Sequence, residues 1–176
     1  VAYAHALGKK VYVTANIFAR NADFALLGDM FAFLQEIGAD AALVTDAGAL
    51  ALAKQRAPRL PLHLSTQANT TNKYAAKFWQ EQGVSRVVLA RELSLAEIAE
   101  IHAFCPALEL EAFVHGAMCI SYSGRCLLSN YLDGRDSNRG ACVQACRWRY
   151  EVRPEGGKAP LPAEEDARGT YVFNSK

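Results

Sequence analysis

Four of the five cysteines fall within 28 residues, spaced Cys119-x6-Cys126-x15-Cys142-x3-Cys146. Four thiolates are the ligand set of an iron–sulfur cluster of the four-iron type or of a structural zinc ion. Zinc sites pair their cysteines closely, and only Cys142 and Cys146 do so. The wide spacing of Cys119 and Cys126 therefore favours the cluster, with zinc as the alternative. Gly116, Gly124, Gly134 and Gly140 permit the tight turns that such a segment needs. The fifth, Cys105, sits in an apolar run and reads as a small buried hydrophobe. No Cys-x3-Cys-x2-Cys run is present, so radical chemistry on S-adenosylmethionine is not indicated.

Six arginines surround the thiols: Arg125, Arg135, Arg139, Arg147, Arg149 and Arg153. Residues 119–153 contain no lysine and three acids, Asp133, Asp136 and Glu151. Tyr122, Tyr131, Trp148 and Tyr150 are interleaved. Guanidinium groups beside aromatic rings suit phosphate contact and base stacking. The plainer alternative is a set of surface cations that balances an anionic thiolate cluster. Upstream, Glu111 and His115 lie four residues apart. On one strand that spacing gives them a common face, as acid–base groups or anion binders. His63 and His102 read as packing or surface residues. Protease machinery is not legible: there is no Gly-x-Ser-x-Gly elbow and no His-Glu-x-x-His helix.

The elements that must position these groups repeat one pattern. Strands are expected at Lys10–Ile17, Ala41–Thr45, Leu62–Thr66, Arg86–Ala90 and Leu108–Val114. Helices are expected from Asp23 to Gly38, over Ala47–Arg56, over Asn72–Gln82 and over Leu95–Phe104. Phe24, Leu27, Phe31, Leu34 and Ile37 keep helical spacing. Ser94 and Glu97 form a capping box. The opening residues, Val1 to Lys10, read as the tail of a helix closed at Gly8, so the natural N-terminus is expected upstream. The βα period demands parallel strands with right-handed crossovers. The strands are nearly continuous apolar runs, as when both faces are covered.

The fold class predicted is α/β, with repeated βα units. It could be a doubly wound sheet or an incomplete TIM-like barrel, since a full barrel needs about 250 residues. Asn16, Asp46, Gln67, Asn69, Arg91 and His115 all fall at or just after strand C-termini. In a barrel these ends ring one mouth, and in an open sheet they line one edge; the plainer reading of Asp46, Asn69 and Arg91 is that they cap helices or begin loops. Residues 1–115 form the expected partial barrel and 116–153 a cysteine- and arginine-rich segment of little periodicity. Residues 154–176 read as an exposed loop, Arg153 to Arg168, and a last strand, Thr170–Phe173.

Bulk properties add limits. The chain has 176 residues, 51% hydrophobic and 21% charged, with net charge +1. That excludes a disordered tail and a uniformly basic nucleic-acid coat. No apolar stretch approaches the roughly 18 residues of a membrane span. No signal peptide is seen, and a cytoplasmic protein is expected.

The run Glu111-Ala-Phe-Val-His-Gly-Ala-Met-Cys119, followed by Gly124-Arg-Cys126-Leu-Leu-Ser129, resembles the signature of the collagenase-like peptidases of unassigned mechanism. Asn138-Arg-Gly-Ala-Cys142 and Cys146-Arg-Trp-Arg-Tyr150 resemble the family's branch of prephenate-dependent tRNA uridine hydroxylases. His63-Leu-Ser-Thr-Gln-Ala-Asn69 and Leu89-Ala-Arg-Glu-Leu-Ser94 match the same family. The resemblance implies a barrel-like catalytic domain that hydroxylates C5 of the wobble uridine of tRNA. It also implies prephenate, or a similar small anionic donor, as a partner. Related members bind a four-iron cluster through four cysteines, the fourth lying further downstream than Cys146 does here. On that basis Cys119, Cys126, Cys142 and Cys146 are the expected metal ligands. Glu111, His115 and Arg125 are the expected catalytic groups. Asn16, Gln67, Asn69, Arg91 and Arg147 are the expected substrate-binding groups. A peptidase and a non-catalytic accessory subunit are the alternative functions.

Overall fold

The computed structural model describes residues 1–116, 119–122, 125–148 and 150, with the backbone of Glu164–Asp166 and Gly169–Tyr171. Two compact units are present, Val1–Val143 and Gln144–Lys176.

In the first unit, helices and strands alternate: α1 Ala2–Ala6, β1 Tyr12–Ala15, α2 Phe24–Glu36, β2 Ala41–Val44, α3 Ala47–Arg56 and β3 Leu62–Leu64. They continue with α4 Lys73–Glu81, β4 Arg86–Val88, α5 Leu95–Phe104, β5 Glu109–Glu111 and α6 Leu128–Asp133. The five strands pair in parallel in the order β1-β2-β3-β4-β5. Sequential order without reversal is compatible with an arc of a singly wound barrel, although the sheet does not close among the described residues. A doubly wound sheet would turn back at a switch point.

The register explains where the core sits. Val13, Ala42 and Leu62 form one cross-strand row, and Ala15, Val44, Leu64, Val87 and Leu110 the next. Both rows pack into the hydrophobic core with Leu27, Phe31 and Leu34 of α2, Ala49, Leu50 and Ala53 of α3, Ala76 of α4 and Ile101 of α5. Each fully buried large side chain contributes about 1.5–3 kcal/mol. The opposite strand face carries a different row: Thr14, Leu43, His63, Arg86 and Glu109. The sheet is thus apolar towards its helices and polar on the other face, where the strand composition suggested two apolar faces.

Local signals set the element ends. Asp46 Oδ1 accepts the Ala49 N–H and caps α3; Asn72 caps α4 in the same way. The Ser94–Glu97 capping box forms as expected, with Glu97 accepting from the Ser94 N–H at 2.8 Å. Gly38 follows α2 in the left-handed region, at φ +70°, where a β-carbon is strained.

The strands are shorter than their apolar runs. Lys10–Ile17 contracts to Tyr12–Ala15, because β1 has a ladder partner only along Ala41–Val44. Leu108–Val114 contracts to Glu109–Glu111. In the second unit, Gly169–Tyr171 (β7) pairs antiparallel with Glu164–Asp166 (β6). The latter falls inside the stretch expected to be loop, and Phe173 lies outside the described residues. Among the described residues, no helix is long and apolar enough to cross a membrane.

Candidate functional site at the strand C-termini

Three loops after strands meet around Ser65. Its buried hydroxyl accepts from Asn16 Nδ2 at 3.0 Å and from the Gln67 N–H at 3.4 Å. Thr45 Oγ1 lies 3.3 Å from both the Asn16 carbonyl and Gln67 Oε1. Asn69 Nδ2 donates to the Gln67 carbonyl at 3.1 Å. Asn69 sits at φ +53°, a left-handed conformation that few side chains adopt. Its buried Oδ1 has no partner among the described residues. Asn16, Gln67 and Asn69 are therefore joined in one network, through Ser65 and Thr45, which sequence reasoning did not single out. Arg91 lies beside it in sequence after β4, its guanidinium 4.1 Å over the Phe113 ring.

The cysteine-bearing segment is tied to this edge of the sheet. Arg139 donates to both oxygens of Asp23 at 2.7 Å and to the Phe18 carbonyl at 3.0 Å. The Asn138 carbonyl accepts the Phe18 N–H at 3.0 Å. Arg125 stands 5.5 Å over the Phe18 ring. Phe18 and Asp23 belong to the loop between β1 and α2, so residues 125–139 are seated at the C-terminal end of β1. The Arg139 hydrogen bonds hold the Asp23 carboxyl far below the usual carboxylate range, aided by the Arg20 N–H.

The thiols divide between the two units. Cys119, Cys126 and Cys142 belong to the first and Cys146 to the second. Cys126 Sγ accepts the Leu128 N–H at 3.4 Å, and the Ser129 hydroxyl lies 3.7 Å from Cys142 Sγ. Two sulfurs are thus held against consecutive residues at the start of α6, each beside a hydrogen-bond donor. No disulfide joins the described cysteines. Among the described residues, no three His, Cys, Asp or Glu side chains converge on a single-ion site. Four cysteine sulfurs are a donor set that suits a four-iron cluster or a zinc ion.

No strand spans both Glu111 and His115. The strand ends at Glu111, so its alternation does not carry to exposed His115. Glu111 instead lies 3.4 Å from Arg86, which also bonds Glu109 at 2.7 Å. Arg86 stands 5.1 Å over Tyr12, whose ring meets His63 edge-on at 4.9 Å. His63, read from sequence as packing, is buried within this polar face. Burial first, and then the Arg86 charge, lower its pKa. Asp46 proves to be a helix cap. Arg147 is exposed on a short 3-10 turn, Ala145–Arg147, of the second unit. Arg149 and Arg153 lie outside the described residues.

Comparison with known proteins sets this geometry in context. The chain is 50% identical to tRNA hydroxylation protein P of Escherichia coli K12, over 98% of the chain and 47% of that relative. It is 39% identical to the 23S rRNA 5-hydroxycytidine C2501 synthase of the same organism, over 90% of the chain and 24% of the relative. It is 40% identical to an uncharacterized protease of Methanocaldococcus jannaschii, over the whole chain and 43% of that protein. The chain spans less than half the length of each of these relatives. The solved structure of a U32 peptidase shares the fold with a TM-score of 0.53 at 14% identity, covering 63% of this chain and 48% of that one. The model of peptidase family U32 matches residues 1–176, and the chain belongs to that family.

Proposed function

We propose that this chain is part of an RNA hydroxylase that adds a hydroxyl group to C5 of the wobble uridine of tRNA. One observation carries the proposal. The cysteine- and arginine-bearing segment is seated, through Arg139 and Asp23, beside the polar network at the strand C-termini. Barrel enzymes build their sites at those ends. The names of two relatives, a tRNA hydroxylation protein and an rRNA hydroxycytidine synthase, support the reaction class.

Exchange of C5–H for C5–OH is a net two-electron oxidation of the base. Oxygen and an electron acceptor must come from a co-reactant, and prephenate or a similar small anion is the required small-molecule partner in this reading. Asn16, Gln67, Asn69 and Arg91 would bind and orient the donor, with Arg91 countering its charge. Arg125 and Arg147, with Tyr122, Tyr131 and Trp148, would meet phosphates and stack on bases of a single-stranded loop. Cys119, Cys126, Cys142 and Cys146 would hold a four-iron cluster, which supplies electron transfer when bound. His115, exposed near the thiols in sequence, would serve proton transfer. Glu111 is engaged by Arg86 and is better suited to setting charge on the polar strand face.

Mass spectrometry of tRNA nucleosides from cells lacking the gene tests the proposal. Loss of 5-oxyuridine derivatives, restored by the gene and abolished again in a strain that makes no prephenate, is expected. Unchanged nucleosides, together with gelatin cleavage by the purified protein, would transfer the assignment to a peptidase.

A further inference from the structure

Cys126 is gripped by its backbone from one side. Its N–H donates to Asn138 Oδ1 at 3.0 Å, and its carbonyl accepts from Ser137 Oγ at 2.6 Å. The same short turn, Ser137–Arg139, grips the loop after β1 from the other side. There the Phe18 N–H donates to the Asn138 carbonyl, while Arg139 bonds the Phe18 carbonyl and both oxygens of Asp23. Three consecutive residues thus connect the edge of the sheet to one thiol. A fork-on-fork guanidinium–carboxylate pair fixes orientation as well as distance. An isolated surface pair of this kind does little. This one differs, because its arginine is the neighbour of the residue that holds the Cys126 N–H.

We infer that Asp23 and Arg139 are positioning residues for the Cys126 sulfur. Their ion pair seats the Ser137–Arg139 turn on the loop after β1, and the turn sets the backbone from which the thiol projects. The purpose of that placement rests on the proposed cluster; the placement itself does not. The Phe18 contact lies two residues after Asn16 in the same loop, so the same anchor links the thiol to the polar network around Ser65. Lysine does not reproduce Arg139, because its ammonium lacks the planar fork that reaches both Asp23 oxygens and the Phe18 carbonyl together.

The test uses the full chain, purified without oxygen. In metal-stripped protein, Cys126 is alkylated with iodoacetamide in timed pulses and read by peptide mass spectrometry. Cys105, only 1% exposed, reports whether the core is intact. Asp23→Asn and Arg139→Lys should each speed Cys126 alkylation several-fold while Cys105 stays protected. Asp23→Glu keeps a carboxylate and should return the rate to near wild type. So should the exchange of charges, Asp23→Arg with Arg139→Asp. In iron-loaded protein, the first two variants should change the electron paramagnetic resonance line shape of the reduced cluster, and Asp23→Glu should not.

An unchanged Cys126 rate with Cys105 protected overturns the inference. If Cys105 also becomes reactive in the first two variants, the two restoring variants decide, and their failure to restore overturns it as well. If the rates behave as expected but the wild-type chain takes up no iron and sulfide, the cluster reading fails and the positioning role stands.

Discussion

Replacement of Ser65 by alanine removes a single oxygen and should loosen the whole network at the strand ends. The side chain is 3% exposed, and its hydroxyl accepts from Asn16 Nδ2 at 3.0 Å and from the Gln67 N–H at 3.4 Å. Alanine fits the space, so the cost lies in the two donors left behind. A stranded buried donor costs about 1–3 kcal/mol, against about 0.5–1.5 kcal/mol for the net worth of an ordinary hydrogen bond. The longer bond is at the weak end of the range, and half-buried Asn16 recovers part of its loss from water. The sum is about 2 kcal/mol, which for a chain of this size lowers the melting temperature by roughly 4–8 °C. Urea unfolding at an unchanged slope would measure it. Asn16→Ala deletes one of the same bonds from its other end, so the double variant should fall short of additivity by about 1 kcal/mol. A loss below about 0.5 kcal/mol for Ser65→Ala, or additivity within about 0.5 kcal/mol, would refute the network.

Three further outcomes are expected. His63 has its pKa lowered by burial and by Arg86, so the unfolded chain takes up its proton first. Its contribution to stability is complete above the ordinary value of 6.5 and is lost as pH falls through 6.5 towards the folded value. Melting curves of wild type and His63→Gln should therefore diverge in slope below that pH; parallel curves would count against it. Arg147→Ala should weaken RNA binding evenly across sequences and reduce the salt slope by about 0.7–0.9, as expected for one lost phosphate contact. An unchanged slope would remove Arg147 from the interface. Serine in place of Cys119, Cys126, Cys142 or Cys146 should in each case cut iron and sulfide content, whereas Cys105→Ser should lower stability alone. Full iron retention by Cys146→Ser would place the fourth ligand elsewhere.

The repeat was legible because each unit carries its own punctuation. Ser94 with Glu97, Asn72, Asp46 and Gly38 mark helix ends within a few residues of where they act, and local geometry suffices to read them. Leu27, Phe31 and Leu34 turn inward at helical spacing for the same reason. Strand length was less legible, since a ladder needs a neighbour in register and the apolar run of β5 continues past its partner. That mattered for the site: with the strand ending at Glu111, alternation along one strand no longer relates it to His115. The helix Leu128–Asp133 is too short to display a period, and it passed for irregular chain. The role of His63 also escaped notice. Its partners Tyr12, Arg86 and Glu109 come from three other strands, and only the register brings them to one face.

The bond between Asp23 and Arg139 spans 116 residues of chain. On a ribosome adding about 5–20 residues per second, Asp23 waits roughly 6 to 23 seconds for its partner. The βα units between them make contacts of short range and can close during that interval. The seat for the cysteine segment is therefore finished before its occupant exists. Assembly acquires an order in time: scaffold first, anchor next. Cys126 is synthesised only once there is a surface on which its neighbours can be held.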